Sequence, residues 1–87
     1  MIRLWAKTIK NNRIVKSYIY ERIDNFSRET FYLHVQELCH ELDLPTPVVL
    51  NYHIDNYVQF NVCHFLKRDF VENVSFDKLV IEEASIK

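Results

Sequence analysis

One stretch of this chain, Ser27 to Leu42, spaces its apolar residues at helical intervals, and it obliges the remainder to build something flat. Phe31, Val35, Leu38 and Leu42 fall at i, i+4, i+7 and i+11, a single dry stripe. Ser27 is a good N-cap, Glu29 sits in the first turn where the helix dipole favours an acid, and Phe26 and Phe31 occupy staple positions. Asp43-Leu44-Pro45-Thr46-Pro47 ends the helix, because Pro45 lacks an N–H and disfavours helical geometry at Leu44. Arg28, Gln36, Glu37, His40 and Asp43 make the opposite face wettable. A helix with one dry face needs a sheet beneath it.

The chain contains no glycine. Phosphate-cradling loops, dinucleotide fingerprints and nucleophile elbows all need glycine where the backbone turns tightly, so these enzyme classes are excluded. Tight turns must use Asn or Asp instead. Residues Ile2 to Ile9 and Ile14 to Arg22 read as two strands joined by Lys10-Asn11-Asn12-Arg13, with Asn11-Asn12 as a two-residue hairpin turn. Paired residues then sum to 23, setting Leu4 opposite Ile19 and Trp5 opposite Tyr18. Ile2, Leu4, Ala6, Thr8, Val15, Ser17 and Ile19 share the face assigned to the helix. Arg3, Trp5, Lys7, Ile9, Ile14, Lys16, Tyr18 and Tyr20 share the other.

Residues 48 to 66 admit two readings. β-Branched and aromatic residues dominate (Val48, Val49, Tyr52, Ile54, Tyr57, Val58, Phe60, Val62, Phe65), which favours a second hairpin turning at Asp55-Asn56. Alternatively Thr46-Pro47 starts a second helix with Leu50, Ile54 and Tyr57 on one side. The hairpin is the preferred reading. Lys67 to Asp77 reads as an irregular connection or a single helical turn, and Lys78 to Glu83 as a short last strand at a sheet edge. The expected architecture is an α+β single two-layer domain over 1–87, one helix on a mainly antiparallel sheet in the order β-β-α-β-β-β, with 48–57 as the helical alternative. At 87 residues the core is sufficient but thin, and with 12 aromatics some are expected to stay exposed or cover a partner.

Asp43-Leu44-Pro45-Thr46-Pro47-Val48, followed by Asp69-Phe70-Val71-Glu72 and Phe76-Asp77-Lys78-Leu79, resembles a family of short uncharacterised proteins from Gram-positive bacteria, over most of the chain. The resemblance implies a complete small bacterial protein and carries no activity.

Charge is uneven along the sequence. Residues 1–22 hold six Lys and Arg against Glu21, or 6 − 1 = +5, and residues 23–87 hold five against eleven acids, or 5 − 11 = −6. Such asymmetry points to a charged partner. Arg3, Trp5, Lys7, Lys16, Tyr18 and Tyr20 are the candidate binding residues, cations interleaved with aromatics on one hairpin face. Two functions fit them: a non-enzymatic protein-interaction module, homodimeric, or a single-stranded nucleic-acid binder that stacks bases on the aromatics and neutralises phosphates with the cations. Lys7 and Lys16 would be direct cross-strand neighbours, an arrangement that an anion relieves.

His34, Cys39, His40, His53, Cys63 and His64 carry metal-ligand chemistry, and Glu37-x-x-His40 has half of a di-metal pattern. No Cys-x-x-Cys, His-x-x-x-His or second Glu-x-x-His accompanies them, so no metal or cofactor is expected. His34 and Glu41 share a helix flank two turns apart, and none of the four serines has a nucleophile signature, so an enzyme is not expected. The N-terminus lacks an apolar leader run and no stretch reaches a membrane-spanning length. Cys39 and Cys63 are then expected as reduced thiols in a cytoplasmic protein.

Overall fold

The structure is a computed structural model and describes residues 1–84. Two long strands, β1 (Ile2–Lys10) and β2 (Arg13–Arg22), are followed by helices α1 (Arg28–Glu41) and α2 (Asn51–Phe60). A short strand β3 (Val62–Leu66), a 3-10 turn (Lys67–Asp69) and the strand β4 (Lys78–Glu83) complete the order. The sheet is antiparallel throughout, with strand order β2-β1-β4-β3. Both helices lie on one of its faces, an α+β arrangement as the sequence leads one to expect.

Helix α1 forms for the anticipated reasons. Ser27 adopts extended geometry and its Oγ accepts the Thr30 N–H at 3.2 Å. Phe26 packs edge-on against Phe31 with ring centroids 5.8 Å apart, closing the staple. The helix stops before Pro45 is reached. Asp43 takes a left-handed φ of 58°, the role glycine has elsewhere, and the Leu44 N–H returns to the Cys39 carbonyl at 2.8 Å. Phe31, Val35, Leu38 and Cys39 are fully buried.

The second segment corrects the preferred reading: residues 51–60 form a helix, not half of a hairpin, so four strands and two helices replace five strands and one helix. His53, Ile54 and Tyr57 fall on one helical face and bury. His53 also reaches back to accept the Leu50 N–H at 3.0 Å, satisfying a donor that the helix start leaves unpaired. Asn61, at φ 61°, terminates the helix and lets the chain enter β3 at once. Burial of that face overrides the strand preference of the individual residues.

The last strand is also corrected, since β4 lies between β1 and β3 rather than at an edge. Leu79 and Ile81 bury on the helix side and Val80 on the other, so its short apolar run is consumed from both faces. Its charged residues lie at its two ends. Glu82 pairs with Lys7 across the ladder.

The hairpin turn is made by Asn11 and Asn12, with φ of 52° and 63°, and the sum-to-23 pairing holds for Lys10–Arg13 and Ile9–Ile14. A bulge then intervenes. From Thr8–Lys16 onward the pairs sum to 24, giving Ala6–Tyr18, Trp5–Ile19 and Leu4–Tyr20. Thr8 Oγ1 accepts the Lys16 N–H at 3.0 Å, holding the slip in place and leaving Val15 as the extra residue. The register assigned from the turn alone is therefore wrong beyond the bulge. Ile2, Leu4, Ala6 and Thr8 bury under the helices as expected, but Tyr18 and Tyr20 join them in place of Val15, Ser17 and Ile19, which are exposed.

Candidate interaction surface

The bulge decides where each candidate binding residue points. Arg3, Trp5 and Lys7 lie half-buried on the sheet face that carries no helix. Lys16, Tyr18 and Tyr20 turn to the other face. The six do not form one surface, and the aromatic-basic platform required by the nucleic-acid reading is not assembled. Lys7 and Lys16 are not cross-strand neighbours either, since Lys7 faces Ser17 and Lys16 faces Thr8.

Two of these residues, Tyr20 and Lys16, have structural work on the helix side. Tyr20 is fully buried, and its hydroxyl donates to Glu37 Oε2 at 3.0 Å and lies 2.7 Å from His34 Nδ1. Since the phenol proton goes to the carboxylate, His34 Nδ1 donates to the phenol oxygen, and its buried Nε2 has no partner among the described residues. Burial, together with the carboxylate of Glu37, pushes the Tyr20 phenol up to about 12. The hydrogen bonds from Tyr20 and Arg22 hold the Glu37 carboxyl below its usual range. Arg22 completes the cluster at 2.8 Å from Glu37 and stacks on the Tyr20 ring. Lys16 Nζ donates to the Leu42 carbonyl at 3.3 Å, against the negative end of α1. It borders a cleft of about 250 Å³ shared with Lys10, Asp43, Asn73 and Ser75.

On the uncovered face the cations are already neutralised. Lys7 pairs with Glu82 and its ammonium lies 3.9 Å from the Trp5 ring centroid. Arg3 stands 3.9 Å from Glu21, an ion pair too long to be a hydrogen bond. Partial burial lowers the pKa of His64, helped by the nearby Lys78 and Lys7, so its ring is neutral at neutral pH. The strongly basic hairpin thus spends Arg3, Lys7 and Arg22 on its own chain's acids. Among the described residues, Lys10, Arg13 and Lys16 alone of its six cations have no ion pair, and all three lie toward the turn.

Beside this face lies strand β2, an edge. Every residue from Arg13 to Ser17 is exposed, and Ile14, Val15 and Ile19 expose 52%, 58% and 43% of their surface, high for β-branched apolar residues in a strand. Sequence alternation assigned Val15 and Ile19 to the core, so the bulge hid this edge from sequence reasoning.

The other titratable clusters hold structure. His53 is fully buried between the rings of Tyr52 and Phe65. Its Nδ1 accepts from Leu50, so Nε2 carries the proton and donates to Asp69 Oδ2 at 3.3 Å. Asp69 also accepts from the Leu66 N–H at 2.8 Å and the Tyr52 hydroxyl at 3.2 Å. Burial alone would raise the Asp69 pKa, but these hydrogen bonds outweigh it and the carboxyl sits below its usual range. Neither ring nitrogen of His53 is free to move a substrate proton. Burial pushes the thiols of Cys39 and Cys63 up to about 12, far from the thiolate that nucleophilic or metal chemistry needs. Among the described residues no group of three His, Cys, Asp or Glu converges on a metal-sized space, and no helix is long and apolar enough to cross a membrane.

No protein-family model, curated protein or solved structure matches this chain, so the resemblance to short Gram-positive proteins rests on the quoted segments alone.

Proposed function

We propose that this protein is a non-enzymatic interaction module that self-associates through the side of the sheet its helices leave bare. The observation that carries the reading is β2. It is a ten-residue edge strand with no proline, its branched apolar side chains exposed, beside a sheet face whose charges are already paired. The bulge and Lys16 blunt its first half, while from Ser17 to Glu21 it keeps the regular edge that templates another strand. Nothing among the described residues covers it.

Catalysis has no comparable support. The buried imidazole of His53 is saturated, the Tyr20 phenol and both thiols are held protonated, and their partners tie secondary structure together. Two free buried thiols suit a reducing cytoplasm.

Sedimentation or light scattering of the full chain tests the proposal. The expected particle has twice the 10.6 kDa chain mass and persists at high salt, because paired charges and apolar contacts release few counterions. A chain that stays monomeric at high concentration overturns it. Dissociation by salt together with co-purifying nucleic acid would favour the phosphate-binding alternative instead.

A further inference from the structure

The bulge that bends β2 also builds a cleft at the turn end of the sheet. Lys10 pairs with Arg13 and Thr8 with Lys16, and paired residues share a face. The extra residue therefore puts Arg13, Val15 and Lys16 all on the helix side, where plain alternation would send Lys16 to the bare face. Lys10, Arg13 and Lys16, the hairpin's cations without an ion pair among the described residues, are thereby gathered on one side.

Lys10 and Lys16 line the cleft of about 250 Å³ noted above, together with Thr8, Val15 and the segments around Leu44 and Val74. Hydrogen bonds fix its walls. Thr8 Oγ1 accepts the Lys16 N–H at 3.0 Å. The left-handed Asp43 turns the chain after α1, and the Leu44 N–H is bound by the Cys39 carbonyl at 2.8 Å. Asp77 clasps the hairpin, its N–H donating to the Ile9 carbonyl at 2.7 Å and its carboxylate accepting the Asn11 N–H at 2.9 Å. The fold itself holds the cleft open.

Two kinds of chemistry meet in the lining. Val15, Leu44, Val74 and Phe76 supply apolar wall, and Lys10, Lys16, Asn73 and Ser75 supply donors. Lys16 gives one of its three donors to the Leu42 carbonyl. Thr8 is 1% exposed, and its own hydroxyl proton has no acceptor among the described residues. A leftover buried donor beside two ammonium groups is completed by an anion. Asp43 is the one acid among the described lining residues, so the lining carries 2 − 1 = +1. Arg13 and Asp77, just outside, add one charge of each sign. One carboxylate balances that charge, whereas a phosphate dianion overshoots it. The volume falls below the roughly 300–1,000 Å³ of drug-sized sites, which limits the ligand to one ring or a short aliphatic chain.

We propose that this cleft binds a small monocarboxylate with an aliphatic or aromatic body. Lys10, Lys16 and the Thr8 hydroxyl hold the carboxylate, and Val15, Val74 and Phe76 pack on the body. The site uses the blunted first half of β2, so it stands or falls separately from self-association through Ser17 to Glu21.

Titration of the full chain with benzoate and with hexanoate, followed by amide chemical shifts, tests the site. At least one of the two should move the amides of Val15, Leu44, Val74 and Ser75 saturably. Its uncharged counterpart, benzyl alcohol or hexanol, should bind about tenfold more weakly, the worth of a charge-assisted hydrogen bond. Inorganic phosphate at equal concentration should not displace it. Lys10→Gln, at an exposed side chain, should weaken binding about tenfold on the same grounds, and Ser75→Trp, which fills the cleft from an exposed position, should abolish it. No saturable shift with either acid, equal binding of acid and alcohol, or displacement by phosphate would overturn the proposal. So would binding that survives both substitutions, with shifts confined to Lys10 and Arg13.

Discussion

The sheet has two edges, and they have been treated in opposite ways. Strand β3 is five residues long, entered directly from the α2 cap at Asn61, and left through a 3-10 turn. Its Cys63 and Phe65 are fully buried, and its last amide, that of Leu66, is taken by Asp69. Strand β2 is twice as long and exposes branched apolar residues. A short edge with its end group satisfied cannot template another strand, and a long bare one can. In a thin core, the helices and polar clusters have been used to close one edge, and the other remains for a partner.

That contrast predicts where substitutions cost folding and where they cost association. Phe65→Ala on β3 should destabilise the fold by about 3–5 kcal/mol, since it empties a site packed against His53. Urea unfolding measures it, and the loss should appear at every protein concentration. Asp69→Ala should cost roughly 2–3 kcal/mol by stranding the Leu66 amide and the His53 N–H. Its folded pKa is lowered, so the stability it contributes is present above the unfolded value of 3.8 and disappears as pH falls through the folded one. The Asp69→Ala variant should therefore lose less stability on acidification than the wild type.

Cysteine chemistry should separate the edges as well. Cys63, raised from 9.0 to about 12 by burial, contributes stability that is complete below pH 9 and is lost as pH rises toward 12. Below that window a thiol reagent should reach it only through unfolding. A cysteine placed at Ser17, on the open edge, should react at once in the monomer and slowly in the dimer.

The smallest effect on folding is expected at β2. Ile19→Lys should change stability by less than about 1 kcal/mol, because the side chain is already 43% exposed. It should nevertheless raise the dimer dissociation constant by tenfold or more. Equal damage to folding and association would mean that Ile19 serves the core.

Much of this contrast was hidden in the sequence for identifiable reasons. The α1 helix was fully legible, from the Ser27 cap to the Phe31–Leu42 stripe, because its signals are local. The hairpin turn at Asn11-Asn12 was legible too, but the hydroxyl of Thr8 capturing the Lys16 amide was not, and the slip it holds exchanges Tyr18 and Tyr20 for Ser17 and Ile19. Because strand faces alternate residue by residue, one extra residue moved half the candidate surface to the core side. Helix α2 was masked by β-branched and aromatic residues whose choice is settled by what lies beneath them. Strand β4 read as an edge because its charges were visible and their partner Lys7, distant in sequence, was not.

Amide hydrogen exchange, resolved residue by residue at two protein concentrations, tests the claim about β2 most directly. Protection of the outward amides of Ser17, Ile19 and Glu21 should rise with concentration, while the amides of β3 should not respond. Unchanged exchange along β2, or a concentration-dependent gain on β3 instead, would contradict it.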